Sequence, residues 1–279
     1  TTPAGALAAA PAALAAALAA AGMALAHAII HGHMPFELHE ADPNRFADCE
    51  TSVQALVSRI PEVLGKHYEI GYPGRQYDSA RNLRPLPLTE CWTANGATFG
   101  QVCGWERPLY FGGLHEPLMT FGRPDWHDQV AAEVGAAHEA SALFDQSTLG
   151  KISVEGPSAE AFLNRLCAND MTRAPGRVIY TGMLNSRGGY EEDLTVQRLC
   201  TNSYLMFVGT GSVARVMGWM RRNLESEKVK FSDETETFAT LALMGPKAEK
   251  IAISLGASNL NSLKFFHHAE AEMAGVPVR

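Results

Sequence analysis

Asp193 is the residue in this chain whose setting most needs a chemical explanation. It opens a strand-like run, Asp193 to Arg198, in which Leu194 and Val196 are apolar while Thr195 and Gln197 are polar. Side chains alternate along a strand, so Asp193, Thr195 and Gln197 share one face and Leu194 and Val196 the other. A carboxylate heading such a strand must meet solvent, a hydrogen-bond donor or a cationic ligand. The chemistry open to it is proton transfer and stabilisation of positive charge growing on a neighbouring nitrogen. The plainer alternative is a salt bridge to a neighbour such as Arg198. Tyr180, Met183 and Leu184 precede it and supply either the largely apolar wall of a ligand slot or part of the core. Tyr180 is the more informative of the three, because its hydroxyl can also hydrogen-bond a ligand.

The elements that must position these groups follow from local composition. Val178 to Leu184 is apolar and rich in strand formers, Asn185 to Gly189 holds turn formers with the turn at Ser186 to Gly189, and Asp193 to Arg198 resumes strand composition, which predicts a β-hairpin. Around it, Asp125 to Ala142 reads as a helix and Lys151 to Val154 as a strand stopped by Gly156-Pro157. Ser158 then caps a helix running to Cys167. Tyr204 to Val208 is a strand, Ser212 to Leu224 a helix, and Val229 to Phe231 and Phe238 to Met244 are strands. Gly245-Pro246 starts a further helix, Lys247 to Leu255. Strand, Gly-Pro and helix thus occur twice, about ninety residues apart, which predicts two similar α+β subdomains.

Met183-Leu184-Asn185, Gly188-Gly189, Asp193-Leu194 and Val196 stand at the offsets of the hairpin of the glycine-cleavage T-protein (aminomethyltransferase) family, which this segment resembles. Leu143 to Thr148, reading LFDQST, is similar to the same family. Ala21 to Gly32 resembles the last helix of a flavin-dependent amine oxidoreductase domain. Asp42-Pro43-Asn44-Arg45-Phe46 resembles the tag that follows it. Asn95 to Phe99 and Gly104 to Phe111, reading GWERPLYF, resemble the join between the flavin and folate halves of sarcosine and dimethylglycine dehydrogenases. The residues alone give the join a structural role, with Trp105, Tyr110 and Phe111 bringing apolar area to a domain junction and Glu106 and Arg107 pairing at its edge.

The resemblance implies an α+β chain truncated at both ends. Residues 1–46 would be the helical tail of an FAD-dependent oxidoreductase domain, 47–111 a connecting segment, and 112–279 the N-terminal part of a T-protein-like, folate-binding domain. It implies tetrahydrofolate beside Asp193, with Tyr180, Met183 and Leu184 around it, and Asp193 as the catalytic group. It also implies FAD in the complete protein, held largely outside this chain. The partners would be a small N-methyl amine substrate, such as sarcosine or dimethylglycine, and an electron-acceptor protein. Two rival readings remain. One is a regulatory relative similar to the regulatory subunit of pyruvate dehydrogenase phosphatase. The other is a dinucleotide-binding enzyme using Gly209-Thr210-Gly211-Ser212-Val213-Ala214, which sits between a strand and a helix, with Asp233 or Glu234 as the ribose-binding acid.

The net charge of −7 over 279 residues argues against a nucleic-acid partner. Five cysteines without a C-x-x-C pair suit a reducing compartment, the cytoplasm or alternatively the mitochondrial matrix. The uncharged tract Ala4 to Ala26 is long enough to span a membrane, but it is mostly Ala and holds Pro11, so it reads as a packed helix with no membrane role. His27, His31 and His33 invite a metal, with Glu37 and His39 the next candidate ligands; polar surface histidines are the simpler reading. Arg75, Arg81 and Arg84 offer an anion site or, more simply, pair with carboxylates.

Overall fold

The computed structural model describes residues 19–32, 46–112 and 117–279. Residues 19–31 form helix α1, followed by α2 (Asp48–Thr51) and α3 (Val53–Lys66). α3 contains Pro61 within its span. Its polar side faces its own chain: Arg59 donates to Gln101 at 2.7 Å and Glu62 accepts from the Asp78 and Ser79 amides at 2.8 Å. Val53, Val57, Ile60 and Leu64, spaced at helical intervals, are exposed on the other side.

A second block begins at α4 (Thr89–Ala94) and the hairpin β1 (Ala97–Val102) and β2 (Trp105–Phe111). Trp105 and Tyr110 are buried there, as an aromatic junction requires, and Tyr110 stacks on Trp126 with centroids 5.6 Å apart. Glu106 is buried too, but its partner is Arg81, whose Nε donates to Oε1 at 2.8 Å, and not Arg107. Successive strand residues point to opposite faces, so adjacent Glu106 and Arg107 cannot readily meet. Arg75 pairs with Glu69 and Arg84 with Glu236, so all three clustered arginines are bound to carboxylates.

Helix α5 (His127–Glu139) leads into β3 (Ala142–Asp145) and β4 (Gly150–Glu155). After α6 (Ala159–Leu166) come β5 (Val178–Leu184), β6 (Tyr190–Cys200), β7 (Ser203–Val208), α7 (Val213–Arg222) and β8 (Lys230–Asp233). These strands form one sheet in the order β5-β6-β7-β4-β8, with every neighbouring pair antiparallel. One face of the sheet carries Ile152, Val154, Leu194, Val196 and Met206, buried with Phe162 and Leu163 of α6 and Val216 and Met220 of α7. Each such side chain contributes about 2 kcal/mol by leaving water. Register places Tyr180 opposite Thr195, Thr195 opposite Phe207 and Phe207 opposite Lys151, so these four share the other face.

β9 (Leu241–Met244) pairs with β3, α8 (Ala248–Ser254) follows, and β10 (Ala271–Met273) with β11 (Val276–Val278) closes a small hairpin. The strand, Gly-Pro, helix unit therefore recurs as β4 to α6 and β9 to α8. Both glycines have positive φ, +135° at Gly156 and +113° at Gly245. A Cβ at Gly156 would lie 2.2 Å from the Lys228 carbonyl oxygen, so the turn admits no side chain. Ser158 does not cap α6; its hydroxyl accepts from the Lys228 amide at 3.3 Å. Among the described residues no helix is long and apolar enough to cross a membrane.

Candidate functional site

Asp193 and Tyr180 meet on the outer face of the sheet. The β5–β6 register sets Gly182 opposite Asp193 and Tyr180 opposite Thr195, one diagonal step away. The Tyr180 hydroxyl donates to Asp193 Oδ2 at 3.0 Å. That bond to a carboxylate holds the Tyr180 phenol above the usual tyrosine range, because losing its proton would set two negative charges side by side. Asp193 is exposed and Tyr180 is 55% exposed.

Arg198 does not pair with Asp193. Five residues further along the strand it points to the opposite face, where it is buried, bonds the Met171 and Arg173 carbonyls and pairs with Glu160 at 2.7 Å. Met183 likewise belongs to that face: it is fully buried in the core cluster, so it is a packing residue and not part of a ligand wall. Tyr180 and Met183 are three positions apart, an odd separation that sends them to opposite sides. Leu184 is half-buried at the end of β5. The site is an open face and not an enclosed slot, because the rings beside Asp193 lie on the sheet surface.

The geometry adds Tyr190, which sequence alternation misses. Met183 pairs with Glu192 but Leu184 pairs with Tyr190, so Glu191 is an extra residue in β6. Such a bulge reverses the alternation beyond it and brings Tyr190 to the face of Asp193. The Tyr190 ring lies over Gly182, where a Cβ would be 2.5 Å from its Cε1. An aromatic residue just after a Gly-Gly turn, with a glycine in the facing strand, was the signal available.

Glu192 corrects the dinucleotide reading. Its Oε1 accepts from the Gly209 amide at 3.2 Å, and the same carboxylate pairs with Arg215 of α7. The glycine loop at the start of α7 thus holds an internal anion where a phosphate would bind. The sheet also lacks adjacent parallel strands, since β8 is separated from β7 by antiparallel β4. Asp233 is used locally, accepting from the Thr235 amide at 2.9 Å. The donor set here does not fit FAD or a nicotinamide nucleotide.

A cavity of about 430 Å³ opens between Arg84, Pro87 and Trp105 on one side and Ser147, Thr235 and Phe238 on the other, away from Asp193. Arg84 is committed there, stacked 4.0 Å from the Trp105 ring centroid and bonded to Glu236 at 2.9 Å. The His27 and His31 rings lie with centroids 4.4 Å apart, tilted by 42°, and no group of three or more His, Cys, Asp or Glu among the described residues is placed to hold a metal. His33, Glu37, His39 and residues 42–45 of the acidic-basic tag lie outside the described residues.

An antiparallel sheet backed by two helices, with a carboxylate and a phenol joined at the exposed β5–β6 end of its other face, defines an α+β domain of the T-protein type. The family comparison agrees: residues 88–279 match the GCVT N-terminal domain, and this chain belongs to that family. Residues 31–85 match the FAD dependent oxidoreductase central domain, so the chain spans the junction of the two. It is 31% identical over 236 residues to the mitochondrial regulatory subunit of pyruvate dehydrogenase phosphatase from Mus musculus, covering 81% of this chain and 27% of that protein. It is 32% identical to a formaldehyde-forming 4-methylaminobutanoate oxidase from Paenarthrobacter nicotinovorans, covering 80% and 27%. To the mitochondrial sarcosine dehydrogenase of Homo sapiens it is 29% identical, covering 91% and 32%. The chain therefore spans about a third or less of these relatives' lengths. Among solved structures, the glycine cleavage aminomethyltransferase T of Bartonella henselae aligns with a TM-score of 0.53 at 26% identity, over 66% of this chain and 46% of that one.

Proposed function

We propose that this chain is part of a flavin-dependent dehydrogenase of N-methyl amines, of the sarcosine or dimethylglycine type, and contributes tetrahydrofolate binding and one-carbon transfer. We place the oxidoreductase portion before about residue 85 and the folate site within residues 112–279. The observation that supports this best is the Tyr180–Asp193 pair on an exposed sheet face, within a chain related to both an aminomethyltransferase domain and two amine-oxidising enzymes.

FAD, bound by the remainder of the protein, would remove a hydride equivalent from the N-methyl amine. An electron-acceptor protein would then reoxidise it. At Asp193 a folate amine attacks the resulting one-carbon iminium. The new C–N bond leaves the attacking nitrogen positively charged, and its N–H bond then breaks. Asp193 stabilises that charge and accepts the proton, while Tyr180 holds the carboxylate in place. The substrate amine would then leave, its bond to the transferred carbon breaking as it takes the proton back from Asp193, and a second folate nitrogen would bond to that carbon and lose its own proton to solvent, giving methylenetetrahydrofolate and the demethylated amine. The cytoplasm is the proposed compartment, with the mitochondrial matrix as the alternative.

Equilibrium dialysis of the chain with tetrahydrofolate is the test. Binding that Asp193→Asn weakens at least tenfold supports the reading, and absence of any binding by the unmodified chain overturns it. The 31% identity to the phosphatase regulatory subunit favours a second reading, a regulatory relative that does no chemistry. That reading gains if folate fails to bind.

A further inference from the structure

We infer that Tyr190 is a stacking platform that fixes the plane of the heterocycle bound at Asp193. The inference rests on the folate reading above and adds a residue to it. Three observations carry it. The β6 bulge at Glu191 places Tyr190 on the Asp193 face, where alternation alone would turn it away. Gly182, opposite Asp193, has no side chain, and the ring settles on its backbone so closely that a Cβ would stand 2.5, 2.8 and 3.1 Å from ring atoms. The ring is nonetheless 62% exposed, so one side rests on the strand and the other is open to a ligand.

A ring covering a strand glycine could be purely structural, since aromatic side chains shield such glycines. The arrangement beside the carboxylate favours more than that. Tyr180 and Tyr190 both border Asp193 from the neighbouring register positions. A planar heterocyclic amine that presents a nitrogen to Asp193 would extend over the adjacent ring. Its flat face meets the aromatic face with an offset stack, which orients the nitrogen lone pair. Reduced pterins have this combination of a flat ring and a reactive amine.

The test uses the intact chain and tetrahydrofolate. Tyr190→Thr should weaken binding roughly two- to tenfold, the loss of one aromatic stack, with the melting temperature recording the separate loss of cover over Gly182. Tyr190→Phe should restore affinity to within about twofold of the unmodified chain, since the ring and not the hydroxyl is required. Gly182→Ala, which displaces the ring while keeping Tyr190, should weaken binding as Tyr190→Thr does. In the unmodified chain, titration should shift the Tyr190 ring proton resonances through the ring current of the stacked ligand. This last measurement stands even if a variant does not fold.

Unchanged affinity in a folded Tyr190→Thr, or Tyr190 resonances that do not move while Asp193→Asn weakens binding, overturns this inference alone. No binding by the unmodified chain overturns the folate reading beneath it.

Discussion

Tyr180 and Asp193, thirteen residues apart in sequence, are joined by a 3.0 Å hydrogen bond on the outer face of the sheet, with the phenol as donor. The bond ties together the two strands of a hairpin that the remaining core supports only from its other side. The carboxylate is thus oriented by a side chain instead of by burial, and it stays open to a ligand.

That bond sets a titration. The Tyr180 phenol is held above the usual tyrosine range by the Asp193 carboxylate, so Asp193→Asn should bring its titration down, as followed by phenolate absorbance. The sign for stability follows: a folded pKa above the unfolded one contributes stability at lower pH, lost as the pH rises through the folded value. A Tyr180 titration that does not respond to Asp193→Asn would mean that the bond does not hold in solution.

Lys151 is fully buried, and its ammonium donates to the carbonyls of Ser147, Leu149 and Thr235 at 2.9, 3.1 and 3.0 Å. Burial pushes its pKa down. Lys151→Met keeps the volume but orphans three acceptors, and should destabilise the domain by about 3 kcal/mol in urea unfolding. Equal stability of the two proteins would show that water replaces the ammonium without cost.

Glu106 predicts an acid limb. Burial pushes its carboxyl up, but the Arg81 guanidinium and the Asn82 amide outweigh this and hold it below the ordinary range. A depressed folded pKa contributes stability that is present above the unfolded value, about 4.3, and lost as the pH falls through the folded one. Glu106→Gln should therefore lower the melting temperature at pH 7 and flatten its decline as the pH falls below the unfolded value.

The thiols should separate by reactivity. Cys91 and Cys200 are exposed, whereas Cys167 is buried and burial pushes its thiol up to about 12. With a disulfide reagent at pH 8, Cys91 and Cys200 should label in the native protein and Cys167 only after unfolding. Rapid native labelling of Cys167 would contradict the packing of α6 against the sheet.

Helix α3 turns its apolar side outward, with Val57 67% and Ile60 50% exposed. The chain in isolation should bind a hydrophobic dye such as ANS, and Val57→Glu with Ile60→Glu should reduce that fluorescence without lowering the melting temperature by more than a degree or two. A large loss of stability would place those side chains inside the fold instead.

The sequence by itself determined the local pattern. Alternation along Asp193 to Arg198 set the polar face, the Asn185 to Gly189 turn set the hairpin, and the paired Gly-Pro turns marked the recurring unit, because each depends on backbone geometry within a few residues. The tertiary structure decided the partners. Arg198 goes to Glu160, Glu106 to Arg81, and Glu192 to the loop where a nucleotide phosphate would bind, choices fixed by which strands and helices come together. It also decided where the aromatic rings fall: a single extra residue at Glu191 turns Tyr190 toward Asp193, and alternation read along one strand cannot register an extra residue that exists only relative to its neighbour.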